Sequence, residues 1–371
     1  MDASTAADSS WSLVETINQS PPVDTSLPYD TASLAGKTIL ITGGASGFGA
    51  AFARKWAGHG SNIILGDIND KAGEELIAEL RALPGSSKQH FFQHCDVTVW
   101  EDQVALFKMG VRASPTGGID AVVAGAGIVE SRNSESGKVF DHPRNLDAEN
   151  PPPPPLNVLA VNLTGVMFTC HLAIFWLERN GGKDQQEKRD RHLLLVSSIA
   201  GVIPLPGQTE YAASKHAVVG LFRTLRGTLW QQGIRCNVIC PYFVDTPLLP
   251  PSGMALLAGS GKAELEDVVD AATRLMADEA IAGRGLAIGP KFHIVDGENG
   301  QVRLVDGAKD GKGAGRKQAV WEIYAHDYDQ VEVFVWRFMQ LLNTLKAVMG
   351  WVGLFKDLIK IFFVRKTPQR G

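Results

Sequence analysis

Tyr211 and Lys215 stand four residues apart in Tyr211-Ala212-Ala213-Ser214-Lys215, the spacing that puts two side chains on one face of a helix. A phenol and an ammonium sharing a cleft can do proton chemistry. Free tyrosine titrates near pH ~10, so bringing its pKa to about 7 takes roughly 4 kcal/mol of preferential stabilisation of the phenolate. An adjacent cation, together with any further positive charge bound beside it, can supply that. Such a tyrosine serves as general base toward an alcohol and general acid toward a ketone. Alone, the pair is an ordinary feature of helix surfaces.

A second group of residues gives it context. Thr42-Gly43-Gly44-Ala45-Ser46-Gly47-Phe48-Gly49 lies between a short apolar run and an apolar-periodic stretch. Glycines there let backbone amides approach a pyrophosphate, and the N-terminus of the following helix favours negative charge. Asp67 closes the next apolar run, eighteen residues beyond Gly49, where a carboxylate can accept bonds from ribose hydroxyls. A 2′-phosphate would be repelled, and no Arg or Lys lies within the turn or directly after Asp67. NAD is therefore expected over NADP. The plainer reading of Asp67 is an N-cap for the next helix.

With these motifs in order, the chain resembles the short-chain dehydrogenase/reductase family, in its compact single-domain branch, from about Leu34 to about Pro290. Thr42, Gly43, Gly47 and Gly49 match the family's glycine turn, and Tyr211 and Lys215 its Tyr-x-x-x-Lys. The resemblance implies Ser198, thirteen residues before the tyrosine, as the serine that donates to the substrate oxygen. It implies Asn162 as the helix-borne asparagine that stabilises a helix irregularity, and Lys215 as the ligand of the ribose hydroxyls. It places Ser46 and Phe48 at the phosphates, Asp96 and Val97 at the adenine, and Ala124, Gly125 and Ala126 along the cofactor. Pro241, Val244 and Thr246 would line the nicotinamide. Two departures stand out: Ala124-Gly125-Ala126-Gly127 replaces Asn-Asn-Ala-Gly, and Pro241-Tyr242 replaces Pro-Gly. The first removes side chains that steady the central sheet; Tyr242 either packs or reaches the substrate pocket.

The elements that must position these residues alternate. Thr38–Ile41, Asn62–Leu65, Phe91–His94, Ala121–Ala124, Leu193–Val196 and Cys236–Ile239 read as short buried strands separated by helical stretches. Repeated βαβ units with right-handed crossovers give an α/β fold, a doubly wound parallel sheet of Rossmann type. The expected organisation is a polar lead-in over 1–34, extended or partly disordered, then a catalytic domain over 35–290 and a C-terminal extension over 291–371. In that extension, residues 292–295 and 301–305 read as a hairpin, 307–317 as a Gly- and Lys-rich linker, and 331–364 as an apolar helical segment. The last suits an interfacial helix on a membrane surface, or a helix packing on the core or on a second subunit. No window of it is apolar enough for a spanning helix to be preferred. Residues 129–155, ending in Pro151–Pro155, and 181–192 read as surface insertions.

Of 371 residues, 44% are hydrophobic and 20% charged, and the net charge is −4, which suits a soluble globular chain and gives no footing for nucleic acid. Cys95, Cys170, Cys236 and Cys240 are scattered through apolar stretches and read as buried thiols; no metal site is expected. The polar, acidic N-terminus lacks signal-peptide organisation, so a cytoplasmic location is expected, peripheral on a membrane if the tail binds lipid. The whole reads as an NAD-dependent oxidoreductase moving a hydride between cofactor and a secondary alcohol or ketone, of apolar lipid or polyketide type. Hydroxyprostaglandin-dehydrogenase-like enzymes are similar, and a homo-oligomer, dimer or tetramer, is implied. The competing reading is a catalytically silent NAD-binding scaffold or sensor attached to a membrane.

Overall fold

A computed structural model describes residues 17–130, 140, 149–150, 153–154, 156–180, 189–249, 261–297, 302–304, 315–324, 326–327, 337–345 and 348. The chain divides into a body spanning residues 17–325 and a smaller unit formed by 1–16 and 326–371.

The body is built on strands β1 (Thr38–Thr42), β2 (Asn62–Asp67), β3 (His90–His94), β4 (Ala121–Ala124), β5 (His192–Val196), β6 (Arg235–Pro241) and β7 (Gly285–Asp296). They lie in the order β3-β2-β1-β4-β5-β6-β7, every adjacent pair parallel. The order reverses between β1 and β4. At such a switch point the connections leave toward opposite faces and open a crevice at the carboxyl ends of the strands.

Side chains alternate across a strand, and β1 shows what each face needs. Ile39 and Ile41 enter one core with Phe52 and Trp56 of α1 (Gly47–Gly58), Leu76 and Leu80 of α2 (Asp70–Ala82), and Val268 and Leu275 of α6 (Leu265–Ala277). Leu40 enters the other, with Leu106 and Phe107 of α3 (Trp100–Ala113), Cys170 and Ala173 of α4 (Asn157–Glu178), and Val218 and Phe222 of α5 (Thr209–Leu225). A strand buried on both faces must be apolar throughout, and Thr38–Ile41 answers that demand. Trp56 stays within the core because its indole N–H donates to Thr273 Oγ1 at 3.0 Å. Among the described residues α4 is the one helix long and apolar enough to cross a membrane; here its apolar side covers the sheet. All four cysteines are free and buried.

The edges differ from the expected organisation. Residues 17–34 are held on the body: the Arg274 guanidinium donates to the carbonyls of Asp24, Thr25 and Leu27, and the Tyr29 hydroxyl to Asp270. The boundary drawn at 290 falls inside β7. The expected hairpin is there, but as a continuation of that strand into β8 (Val302–Leu304), with Ile294 opposite Leu304. The linker expected over 307–317 gives its last two residues to β9 (Arg316–Ile323), which runs antiparallel to β7. Pairing with a sheet edge, which hydropathy does not report, decides their fate. In the smaller unit, residues 337–345 are helical. Positions 131–139, 141–148, 181–188, 331–336 and 349–364 lie outside the described residues, and with them most of both insertions and of the apolar tail.

Candidate active site

The glycine turn joins β1 to α1 under tight steric constraint. Gly43 has φ +69°, and a Cβ there would stand 2.6 Å from Ala126 Cα; a Cβ on Gly49 would stand 2.2 Å from the carbonyl oxygen of Gly43. Backbone lies in the way at both positions, so neither tolerates a side chain. At Gly47 the corresponding space is open. Ser46 is the N-cap of α1 but its hydroxyl makes no capping bond. The first-turn amides of α1, which have no intrahelical acceptors, thus face a space that an anion can fill. Phe48 stacks on Phe52 and rests on the core, so its backbone alone is available to a ligand. Thr42 spends its side chain on the sheet: Oγ1 donates to Val123 O and accepts from Gly125 N–H at 3.2 Å. It fastens β1 to the Ala124-Gly125-Ala126 exit of β4 without an asparagine there.

Asp67 sits at the end of β2, and its two oxygens accept from Ala45 N–H and Asn69 N–H, each at 3.0 Å. It therefore steadies the glycine turn. The cap of α2 is Asn69, whose side chain accepts from Ala72 N–H, which removes the N-cap reading of Asp67. Asp96 holds the β3–α3 connection by accepting from Thr98 N–H and Oγ1–H. Val97 is buried, its side chain lying on the face of α4 where Gly165 leaves room, and its carbonyl accepts from Gln103. Pro241 ends β6, and Val244 is buried in the core beside Ala263 and Val268. Thr246 accepts from Leu249 N–H through its carbonyl. Tyr242 packs on the core and meets Phe243 edge-to-face, so its packing reading holds.

At the carboxyl end of the sheet the catalytic candidates converge. Tyr211, Ser214 and Lys215 lie on one buried face of α5. Ser198 follows β5, donates to Pro241 O at 3.5 Å and accepts from Ala200 N–H at 3.2 Å, and its hydroxyl favours the Tyr211 phenolate. Lys215 Nζ lies 5.6 Å from the Tyr211 ring centre and donates to Val196 O at 3.2 Å. Asn162 lies in a π-helical stretch of α4, Ala160–Gly165, which is the irregularity expected there. A π segment inside a helix often marks a functional site. Asn162 Nδ2 donates to Ser214 Oγ, 3.2 Å away on the helix that bears Tyr211.

Charge is distributed differently from the sequence expectation. Burial raises the Tyr211 phenol above the ordinary tyrosine value, and the Ser198 hydrogen bond opposes that rise. Burial also brings Lys215 down to about 8. Desolvation disfavours each charged form, and it is the largest cause acting on Tyr211, with Lys215 not among the causes. Cys240, beneath the pair, is raised to about 12 by burial and remains a thiol.

Sequence reasoning missed two residues. Ser197 Oγ donates to Lys215 O at 2.9 Å, pinning α5 to the end of β5. Glu130 accepts from the backbone N–H groups of Glu210 and Tyr211. The available signal was position: Glu130 is the first charged residue after β4, at the strand ends where sites form.

The family model described as short chain dehydrogenase matches residues 37–254. The 5′-hydroxyaverantin dehydrogenase of Dothistroma septosporum is 38% identical, over 76% of this chain and 91% of its own. A 5′-hydroxyaverantin dehydrogenase of Emericella nidulans is 36% identical, over 81% and 96%. The structure of a 3-ketoacyl-(acyl-carrier-protein) reductase from Brucella melitensis complexed with NADH superposes with a TM-score of 0.55 and 25% identity, covering 68% of this chain and 97% of that one. A parallel sheet with its switch point beside the glycine turn, a Ser-Tyr-Lys cluster at the strand ends and these matches agree: the chain belongs to the short-chain dehydrogenase family, oxidoreductases that use a nicotinamide cofactor on hydroxyl and keto groups.

Proposed function

We propose that the protein is an NAD-dependent dehydrogenase that oxidises a secondary alcohol on an apolar, polyketide-like molecule, with Tyr211 as the proton acceptor. The carrying observation is the convergence of Ser198, Tyr211 and Lys215 at the strand ends beside the glycine turn, with Ser198 placed to favour the Tyr211 phenolate and Lys215 Nζ 5.6 Å from the tyrosine ring centre. Ser198 Oγ accepts from Ala200 N–H and donates to Pro241 O at 3.5 Å, a long bond that a substrate oxygen can replace, so that Ser198 would hold that oxygen beside Tyr211. Lys215, carried on the same helix face, is a cation when protonated and favours the phenolate. A bound nicotinamide supplies the hydride acceptor and, oxidised, a further positive charge. The open α1 amides, Gly43, Gly47, Gly49 and Asp67 would hold it, and the Asp67 carboxylate favours unphosphorylated ribose.

The surroundings of Tyr211 support an apolar substrate. Val158 and Ala200 pack with it, and Val129 and Leu205 cover them. Ile128, Leu156, Ile203 and Leu248 are exposed large apolar residues on loops at the same end of the sheet. Two relatives are named for hydroxyaverantin, which makes it the first substrate to try. Purified protein is mixed with NAD or NADP and hydroxyaverantin, and reduced cofactor is followed by fluorescence. Turnover with NAD is expected. Tight NAD binding with no turnover on any secondary alcohol would favour the silent scaffold instead.

A further inference from the structure

α5 carries Tyr211 as its third residue, yet the helix start has no cap of its own. The N-cap position, Gln208, makes no side-chain hydrogen bond to the helix. The cap arrives from a residue 80 positions earlier. One oxygen of Glu130 accepts both the Glu210 N–H and, at 3.2 Å, the Tyr211 N–H. The other oxygen of Glu130 is buried without a partner. A carboxylate at first-turn amides has both hydrogen bonds and the helix dipole in its favour.

Glu130 is itself held in place. Two residues before it, Ile128 is gripped through its N–H and its carbonyl by the side chain of Asn162. Gly127 lies against both Asn162 and Lys215: a Cβ there would meet Asn162 Oδ1 and Lys215 Nζ at 3.4 Å each. The segment leaving β4 is thus tied to α4 by Asn162 and to α5 by Glu130, and both ties end on site residues.

We infer that Glu130 is a positioning residue for the reaction, fixing through its carboxylate the height and direction at which Tyr211 enters the site. It touches neither substrate nor cofactor in this role and acts through the Tyr211 amide. The inference rests on Tyr211 being the proton-transferring group. Glutamine keeps a side-chain oxygen that accepts both N–H groups; aspartate is one methylene shorter and alanine lacks the acceptor.

The test compares Glu130→Gln, Glu130→Asp and Glu130→Ala in the full chain, with Tyr211→Phe as control. Steady-state turnover of the alcohol, NAD dissociation constants and amide hydrogen exchange over 209–212 are measured. Glu130→Ala and Glu130→Asp should each lower kcat about tenfold or more, equivalent to roughly 1.4 kcal/mol of barrier. NAD affinity and the KM for NAD should stay within about twofold, and exchange at 209–212 should rise. Glu130→Gln should restore both rate and protection. If Glu130→Ala fails to fold, the aspartate and glutamine variants decide. Unchanged kcat in Glu130→Asp, or failure of Glu130→Gln to differ from it, would overturn the inference. Retained turnover in Tyr211→Phe would instead overturn the reading beneath it, which separates the two failures.

Discussion

Asn162 holds Ile128 by both of its backbone groups: Oδ1 accepts the Ile128 N–H and Nδ2 donates to the Ile128 carbonyl, each at 2.8 Å. This is the pairing that a neighbouring strand would give, supplied by one side chain to a segment that has just left the sheet. Nδ2 also donates to Ser214 Oγ on α5, so Asn162 joins the exit of β4, the π-helical stretch of α4 and the helix of Tyr211.

Replacing that side chain should therefore cost stability and rate together. Asn162→Ala leaves the Ile128 N–H and carbonyl without their acceptor and donor, at a cost of about 2–3 kcal/mol. Turnover should fall by at least about tenfold, because the segment it releases is the one that lies against Lys215. Urea denaturation and steady-state kinetics measure the two effects. A stable variant with normal kcat would show that Ile128 is held by other means.

Lys215 gives the opposite sign on stability. Burial brings its pKa from 10.5 to about 8, so the folded protein gives up this proton at lower pH than the unfolded chain does. Its contribution to stability is unfavourable below pH 8 and disappears as pH rises from about 8 to about 10.5. Lys215→Met should raise stability at pH 7 by roughly 1–3 kcal/mol while abolishing turnover. The gain over wild type should shrink above pH 8. Lower stability at pH 7 would mean that the bond to Val196 O outweighs the burial of the charge.

Much of this could be read in advance, and the failures have definite physical causes. The run Thr38–Ile41, the glycines of the turn and the Tyr-x-x-x-Lys spacing are local signals, and the sheet order follows from alternating strands and helices. Asn162 carried no signal of its own; only the resemblance pointed to it. Glu130 could not be found by spacing, because the amides it serves are 80 residues away and a backbone partner leaves no trace in sequence. The domain boundary failed at Pro290, read as the end of the core. Pro290 lies between Ile288 and Phe292, where the pairing of β7 with β9 shifts register, and an irregularity in a ladder is where proline costs least. Burial, the largest cause acting on Tyr211, is a property of the packed fold that spacing does not report.

His90 should make the protein acid-sensitive well above the carboxylate range. Its Nδ1 accepts the Ile63 N–H at 3.1 Å and its Nε2 pairs with Ser86 Oγ at 2.5 Å, an arrangement that requires the neutral ring. Burial, with Arg81 and Lys88 nearby, pushes its pKa from 6.5 to about 4. The unfolded chain takes up a proton near pH 6.5 that the folded protein refuses until about pH 4. The stability His90 contributes is full above 6.5 and is lost as pH falls toward 4. His90→Gln, which keeps an acceptor and does not titrate, should flatten stability against pH across that window. His192, buried and also lowered, leaves a residual slope. An unaltered profile would remove His90 from this role.

Asp67 offers a test in which charge and geometry separate. Its carboxylate carries two jobs: it accepts the Ala45 and Asn69 amides, and in the proposed complex it accepts from ribose hydroxyls while repelling a 2′-phosphate. Asp67→Asn removes the charge and keeps one acceptor oxygen, so the turn is only partly released. The NADP-to-NAD affinity ratio should rise about tenfold or more, since repulsion of the phosphate is gone and a charged acceptor for ribose is lost. Asp67→Ala removes both acceptors, so it should weaken NAD further while lifting the ratio by a similar factor. Fluorescence titration of wild type and both variants with both reduced cofactors gives the six constants needed. If both variants weaken the two cofactors equally, Asp67 serves the turn alone and the preference for NAD lies elsewhere in the site.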